Sequence, residues 1–136
     1  MKEILKFAPW LLLANCWLAV LSGKSEVDMV VIADFCLIPI GIGVSVSKEI
    51  AACERVLAEA GLKTRLHAYG TNIEGEWDDV FAAIKKCHEV VHAMGTPRVS
   101  STLRFGTRID RPQTMDEKVQ SVQQKLENEK REKQGQ

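Results

Sequence analysis

The stretch that decides the fold runs from residue 69 to residue 78 and reads YGTNIEGEWD. Its two glycines, Gly70 and Gly75, can adopt backbone angles that other residues avoid. The stretch separates a strand-like run, residues 64–68, from a helix-like run that begins at Trp77. We therefore interpret it as a tight hairpin turn followed by a very short strand, with its polar side chains held on the turn.

Upstream of the hairpin, the pattern predicts one strand and one helix. Residues 30–38 are apolar at both alternating sets of positions except at Asp34, which indicates a central strand with both faces covered. A half-buried acid such as Asp34 needs a partner, and the arginines of the last strand are candidates. Ser45 or Ser47 can cap the following helix, which Gly61 ends.

Downstream of the hairpin, the pattern predicts two helices and one strand. The second helix runs from Trp77 to Gly95, and residues 99–110 form the last strand. A capping box at Thr114 and Glu117 begins a third helix. That helix carries an apolar seam spaced by four, three and four residues: Met115, Val119, Val122 and Leu126. The charged tail, residues 127–136, is expected to fray.

This order predicts an α+β fold of the ferredoxin-like βαββαβ type, an antiparallel sheet with helices on one face, plus a C-terminal helix.

The chain of 136 residues is long enough for one domain, and its formal net charge of zero argues against a nucleic-acid partner. The four cysteines are widely spaced without a Cys-x-x-Cys pair: Cys16, Cys36, Cys53 and Cys87. Such cysteines are typical of small core residues in a reducing compartment.

Residues 1–28 stand apart from the predicted domain, which spans residues 29–126. An apolar run at residues 11–21 is too short to span a bilayer comfortably. Three interpretations stay open: an appended or mis-called leader, a secretory signal or membrane anchor, and a packed helix. We expect no membrane partner for the folded domain and a cytoplasmic location, or a secretory one if this segment is a true signal.

The middle of the chain resembles the YkoF-like thiamine-binding-protein domain family, over residues 29 to about 126. The resemblance is carried by Pro39, Gly41, Gly43, Ser45, Ser47, Glu49, Ile50, the hairpin at residues 69–75, Trp77, Asp78 and residues 108–110. It implies the ferredoxin-like fold and an intracellular, oligomeric protein that binds thiamine or its hydroxymethylpyrimidine part. The better-understood members have two such domains in one chain, whereas this chain has one.

The resemblance and the turn chemistry together place a ligand pocket where the loop at residues 41–47 meets the hairpin at residues 69–74. The candidate ligand-binding residues are Asp34, Ser45, Ser47, Tyr69, Thr71, Asn72 and Glu74. Asp34 would supply charge, Glu74 the polar edge, and Phe35, Tyr69 or Trp77 an aromatic wall. We expect no catalytic residue, metal or cofactor, and a homotetramer built as a dimer of dimers.

Two other functions are compatible with the sequence. One is a structural or regulatory oligomer without a ligand. The other is a zinc hydrolase, because residues 88–92 read H-E-V-V-H and two histidines four apart on a helix face the same way. The position of a third ligand is occupied by Arg98, a permanent cation, and Gly95 is explained as a helix stop. The zinc function is therefore the less favoured of the two.

Overall fold

The computed structural model describes residues 29–135, so the leader at residues 1–28 lies outside the described residues. The described chain contains four strands, namely β1 (Val30–Ile40), β2 (Lys63–His67), β3 (Gly70–Glu76) and β4 (Arg98–Thr107). It contains three helices, namely α1 (Ser47–Glu59), α2 (Trp77–Ala93) and α3 (Met115–Gln134). Among residues 29–135 no helix is long and apolar enough to cross a membrane.

The strands form one antiparallel sheet in the order β2-β3-β1-β4. The element order is βαββαβα, so the predicted ferredoxin-like fold with an added C-terminal helix is confirmed. Strand β1 lies between β3 and β4, as its two apolar faces indicate. Helices α1 and α2 cover one face. The start of α3 lies against the other face, which we call the open face.

The core lies between the sheet and the first two helices. Alternate residues of β1 point into it and are almost fully buried: Val31, Ala33, Phe35 and Leu37. They pack against the apolar sides of α1 and α2, including Leu57, Val80 and Val91. The cysteines Cys53 and Cys87 are free thiols in this core, as the sequence predicts. The Cys87 thiol donates a hydrogen bond to the Cys53 carbonyl oxygen over 3.7 Å. A hydrogen bond between the side chains of Cys87 and Cys53, and next burial, raise the pKa of the Cys87 thiol.

The hairpin differs from its predicted form. Its turn consists of residues 68–69, and β3 begins at Gly70 and continues for seven residues. Thr71, Asn72 and Glu74 therefore lie within a strand and not on a turn. Because side chains alternate along a strand, Thr71 points into the core while Asn72 and Glu74 point to the open face. The long partner strand β1 draws this polar stretch into a regular ladder.

Two strand ends also differ from the predicted ones. Strand β1 continues through Pro39 to Ile40, because its neighbour β4 pairs with it over this whole length. Strand β4 ends at Thr107 and not at residue 110. The last pair of this ladder joins Val31 to Thr107, close to the first residue of β1, so the strand has almost no residue left to pair with Arg108. The Arg108 side chain binds Asp110 instead.

The helix ends follow the sequence in part. Gly61 and Gly95 have φ angles of +72° and +100°, the left-handed values of a helix stop. Neither Ser45 nor Ser47 caps α1, whose N-cap is Val46 without a side-chain hydrogen bond. The two serine hydroxyls lie 3.4 Å from each other instead.

Helix α3 begins with the predicted capping box, in which Thr114 and Glu117 each satisfy the other's backbone N–H. It continues to Gln134, whereas a frayed tail was expected from residue 127. The tail consists of strong helix formers, with opposite charges four residues apart at Glu127 and Arg131 and at Glu129 and Lys133, which favour helix even without packing.

Candidate ligand-binding site

A cleft of about 330 Å³ lies between α1 and the β2–β3 hairpin. We call it the α1–hairpin cleft. One wall is the apolar side of α1, with Val46, Ile50, Cys53, Glu54 and Leu57. The floor is the second half of β1, and the opposite wall is the hairpin from Leu66 to Thr71. The cleft is mostly apolar, and a volume of this size lies at the lower end of the roughly 300–1,000 Å³ usual for small-molecule sites.

A short hydrogen bond joins the two walls. The Thr71 hydroxyl donates to Oε1 of Glu54 over 2.5 Å, and the threonine is 4% exposed. A carboxylate in an apolar cleft is costly unless it is hydrogen-bonded, and this contact satisfies one of its oxygens. Among residues 29–135, the other oxygen has no hydrogen-bond partner. The cleft therefore offers a negative charge beside apolar walls.

The hairpin turn forms the mouth of the cleft. Tyr69 is 88% exposed there, and its backbone N–H donates to Nδ1 of His67 over 3.3 Å. Gly70 follows, and a Cβ at this position would lie 2.6 Å from the carbonyl oxygen of Phe35. Only glycine allows the hairpin to approach β1 so closely. The turn thus sets an exposed aromatic ring beside the cleft entrance.

Two of the predicted site residues, Asp34 and Asn72, point away from the cleft to the open face of the sheet. Oδ2 of Asp34 accepts from Nη2 of Arg104 at 2.7 Å, and Oδ1 lies 3.0 Å from Nε2 of His67. The hydrogen bond from Arg104 is the main cause that lowers the pKa of Asp34, and the hydrogen bond to His67 lowers it further. The arginine partner predicted for this acid is therefore present. Asp34 is held by protein groups and not aimed at the α1–hairpin cleft.

The remaining predicted residues are also dispersed. Glu74 accepts a hydrogen bond from the backbone N–H of Met115 at 2.7 Å and so helps to anchor the start of α3. Ser45 and Ser47 are exposed on either side of Val46, which lines the cleft, but neither serine lines it. Trp77 packs against Phe81 and Phe105, with ring centroids 4.7 and 5.4 Å away, at the opposite end of β1. Of the predicted ligand-binding residues, the structure thus brings Tyr69 and Thr71 into one cleft.

A larger cavity of about 590 Å³ lies between the end of β4 and the start of α3. Three cationic side chains line it: Arg108, Arg111 and Lys118. Arg108 is paired with Asp110, and the pair holds the pKa of Asp110 at about 2. Because this lining carries an excess of positive charge, a cationic ligand is disfavoured there. The smaller α1–hairpin cleft is the better site for such a ligand.

The two histidines of the H-E-x-x-H match make separate contacts. Nε2 of His88 lies 2.8 Å from the Ser101 hydroxyl on β4, and Nδ1 of His92 donates to the Thr96 carbonyl oxygen at 2.8 Å. Glu89 lies beside Lys85 and Lys86. Within the part of the chain that the structure describes, no group of three His, Cys, Asp or Glu side chains is placed to hold a metal ion.

Comparison with known proteins identifies the family. The family model described as "Thiamine-binding protein" matches residues 33–123, which include most of β1, the cleft and the first half of α3 to residue 123. The chain belongs to the thiamine-binding protein family. Within this family it is similar to the UPF0045 protein sll0230 of Synechocystis sp., with 68% identity over 100 residues that cover 74% of this chain and 83% of the relative. The resemblance on the hairpin and its flanking residues is thereby confirmed.

Other family members are similar over the same region. A UPF0045 protein of Eremothecium gossypii is 40% identical over 70% of this chain and 91% of its own length. The crystal structure of protein MJ1052 of Methanocaldococcus jannaschii superposes with a TM-score of 0.64 and 33% identity, covering 68% of this chain and 95% of that one. A Thermotoga maritima protein proposed to act in thiamine biosynthesis or salvage has a TM-score of 0.59 at 17% identity, covers 68% and 98% of the two chains, and shares the fold.

Sequence reasoning missed the acidic residue of the cleft, Glu54. A signal for it exists in the helix pattern. Glu54 follows Ile50 by four residues and precedes Leu57 by three, so it lies on the apolar side of α1. A charged residue on the core side of a helix needs a partner or a function, and this criterion selects Glu54.

Proposed function

We propose that this protein is a non-catalytic binding protein for thiamine or its hydroxymethylpyrimidine part, and that the ligand enters the α1–hairpin cleft. The observation that supports it is the Glu54 carboxylate, which is held by Thr71 in an otherwise apolar cleft. The family's description as thiamine-binding supports the same ligand class.

The chemistry of the cleft suits the two halves of such a ligand. A flat pyrimidine ring fits between apolar walls such as Phe35 and Leu57, and its polar edge needs a few convergent groups. The thiazolium ring of thiamine is a cation. At the mouth it meets the exposed ring of Tyr69, and a cation over an aromatic ring gains about 0.5–2 kcal/mol. The free oxygen of Glu54 adds attraction from within the cleft.

Titration calorimetry of the full chain with thiamine and with the free hydroxymethylpyrimidine tests the proposal. We expect saturable heat from both compounds, with the thiazolium adding affinity to the pyrimidine. A compound of similar size without the pyrimidine, such as the thiazole alcohol alone, is the matched control and should bind more weakly. No heat from thiamine or the pyrimidine at millimolar concentration would overturn the proposed ligand.

We also propose that the protein acts as a homo-oligomer. Helix α3 buries only Met115, and the rest of its apolar seam is about half exposed, with Val119 at 45%, Val122 at 58% and Leu126 at 51%. An apolar stripe on a charged helix is typical of helix pairing between chains. A structural oligomer without a ligand would need the same assembly. The calorimetry described above distinguishes it from a thiamine-binding oligomer, because only the latter gives heat with thiamine.

A further inference from the structure

Among residues 29–135, strand β1 has a segment with a neighbouring strand on one side only. Its ladder with β4 extends to the pair Ile40–Arg98, but its ladder with β3 ends at the pair Phe35–Thr71. Beyond Phe35 the hairpin turns away, and the α1–hairpin cleft occupies the space where β3 would continue. The cleft floor therefore includes a strand edge whose backbone faces the cleft instead of another strand.

The ladder determines which residue presents its backbone there. The Trp77 N–H donates to the Met29 carbonyl oxygen over 3.0 Å, so the backbone of Met29 faces the β3 side. In an antiparallel ladder every second residue directs both its N–H and its C=O to the same neighbour. Counting in steps of two from Met29 through Phe35 reaches Leu37 and then Pro39. Pro39 has no N–H, so Leu37 presents a donor and an acceptor side by side.

The position of Leu37 is firmly held. Its side chain is 5% exposed and belongs to the core, and its far side is supported by β4, where it lies opposite Ser101. A backbone donor and acceptor fixed in this way are pre-organised, so ligand binding loses little conformational entropy in ordering them. Buried backbone groups of this kind need a hydrogen-bond partner, which in this cleft is either water or a ligand.

We propose that the backbone N–H and C=O of Leu37 bind the aminopyrimidine edge of the ligand and select for it. The ring nitrogen accepts from the Leu37 N–H, and the adjacent exocyclic amino group donates to the Leu37 C=O. The ligand edge thus replaces the missing strand, as in peptide recognition by strand addition. The inference rests on the proposed function, which supplies the ligand class.

The same contact explains rejection of related rings. A pyrimidinone carries an N–H and a carbonyl where the aminopyrimidine carries an acceptor and a donor. Its donor would face the Leu37 N–H and its acceptor the Leu37 C=O. Sites built on hydrogen bonds discriminate strongly against analogues that leave buried polar groups unpaired. The Glu54 carboxylate on the α1 wall only accepts hydrogen bonds when it is ionised, so it cannot supply the donor that the ring nitrogen needs.

The test changes the ligand and leaves the protein intact. Hydroxymethylpyrimidine is compared with an analogue whose amino group is replaced by a methyl group of similar size, using the full chain. We expect the analogue to bind roughly tenfold or more weakly. In parallel, ¹⁵N NMR follows the backbone amide of Leu37, which should move downfield on saturation with the aminopyrimidine. The amide of Ile38, which faces β4, is the matched control and should move less.

The outcomes separate this inference from the proposed function. Equal binding of both compounds, with an unmoved Leu37 amide, would overturn the role of Leu37 while the cleft remained a thiamine site. Absence of binding by both compounds would overturn the proposed function and this inference with it. Weaker binding of the analogue together with a shifted Leu37 amide supports both.

Discussion

Thr71 on β3 donates its hydroxyl hydrogen to Glu54 on α1 across 2.5 Å. The two residues are 17 positions apart in the chain and belong to opposite walls of the α1–hairpin cleft. The contact fixes the rotamer of a carboxylate that would otherwise be free to turn.

Replacement of Glu54 by glutamine should weaken ligand binding and change the melting temperature little. The amide can still accept from Thr71, but it removes the charge that attracts a cationic ligand. We expect a loss of about 1–3 kcal/mol in binding free energy for thiamine, measured by calorimetry. Glu89→Gln on the exposed side of α2 is the matched control and should bind as the wild type does. Equal affinity of both variants would contradict the role of Glu54.

Gly70→Ala should destabilise the fold. The added Cβ would lie 2.6 Å from the Phe35 carbonyl oxygen, and a backbone atom in the middle of the sheet cannot move aside. Forcing the strands apart should cost about 1–3 kcal/mol and lower the melting temperature by several degrees. In Gly106→Ala, the added Cβ meets no atom within 4 Å, so this control should melt near the wild type. Thermal unfolding followed by circular dichroism measures both, and an unchanged melt for Gly70→Ala would show that the hairpin can yield.

Lowering the pH should reduce the contribution of the Asp34 carboxylate to the free energy of unfolding. Arg104, and next His67, lower its pKa in the folded protein below the ordinary value of 3.8. A lowered pKa stabilises the fold above the unfolded value, and this stabilisation is lost as the pH falls through the folded value. Because the Arg104 side chain is 81% exposed, we expect only about 0.2–1 kcal/mol.

The comparison of Asp34→Asn with the wild type isolates this effect from the other acids. Urea unfolding should show the wild type more stable at pH 6–7, with the difference shrinking below about pH 4, where the carboxylate becomes protonated. Asp110 and Asp116, whose pKa values are also lowered, titrate equally in both proteins and cancel. A difference that stays constant down to pH 2 would show that Asp34 does not gain stability from its charge.

A charge on the seam of α3 should break the proposed assembly. Val122 is 58% exposed, so Val122→Lys costs the single chain little while placing an unpaired charge in an apolar interface. We expect light scattering of the wild type to give four times 15.2 kDa and the variant to give a smaller mass. Gln124→Lys, on a different side of the helix, is the control. A wild-type mass of one chain at micromolar concentration would contradict the proposed oligomer.

Local sequence patterns were sufficient for the elements and for some of their contacts. The apolar run of β1 with one acid predicts a central strand and an arginine partner, and Arg104 supplies it. Gly61 and Gly95 end their helices with left-handed angles, and Thr114 with Glu117 forms a capping box. The elements, the helix stops and the capping box depend on residues close together in the chain, whose spacing decides helix, strand or stop before any long-range contact forms.

Only the tertiary structure decided the site, because register depends on contacts between distant segments. A shift of one residue would move every side chain of β3 to the other face. The register observed puts Thr71 beside the cleft and Asn72 and Glu74 on the open face. Strand β1 extends beyond its last pair with β3, so the backbone of Leu37 faces the cleft. The packing of α1 on the sheet brings Glu54 to Thr71. The sequence by itself determined which residues are polar, and the pairing of the strands determined which of them meet.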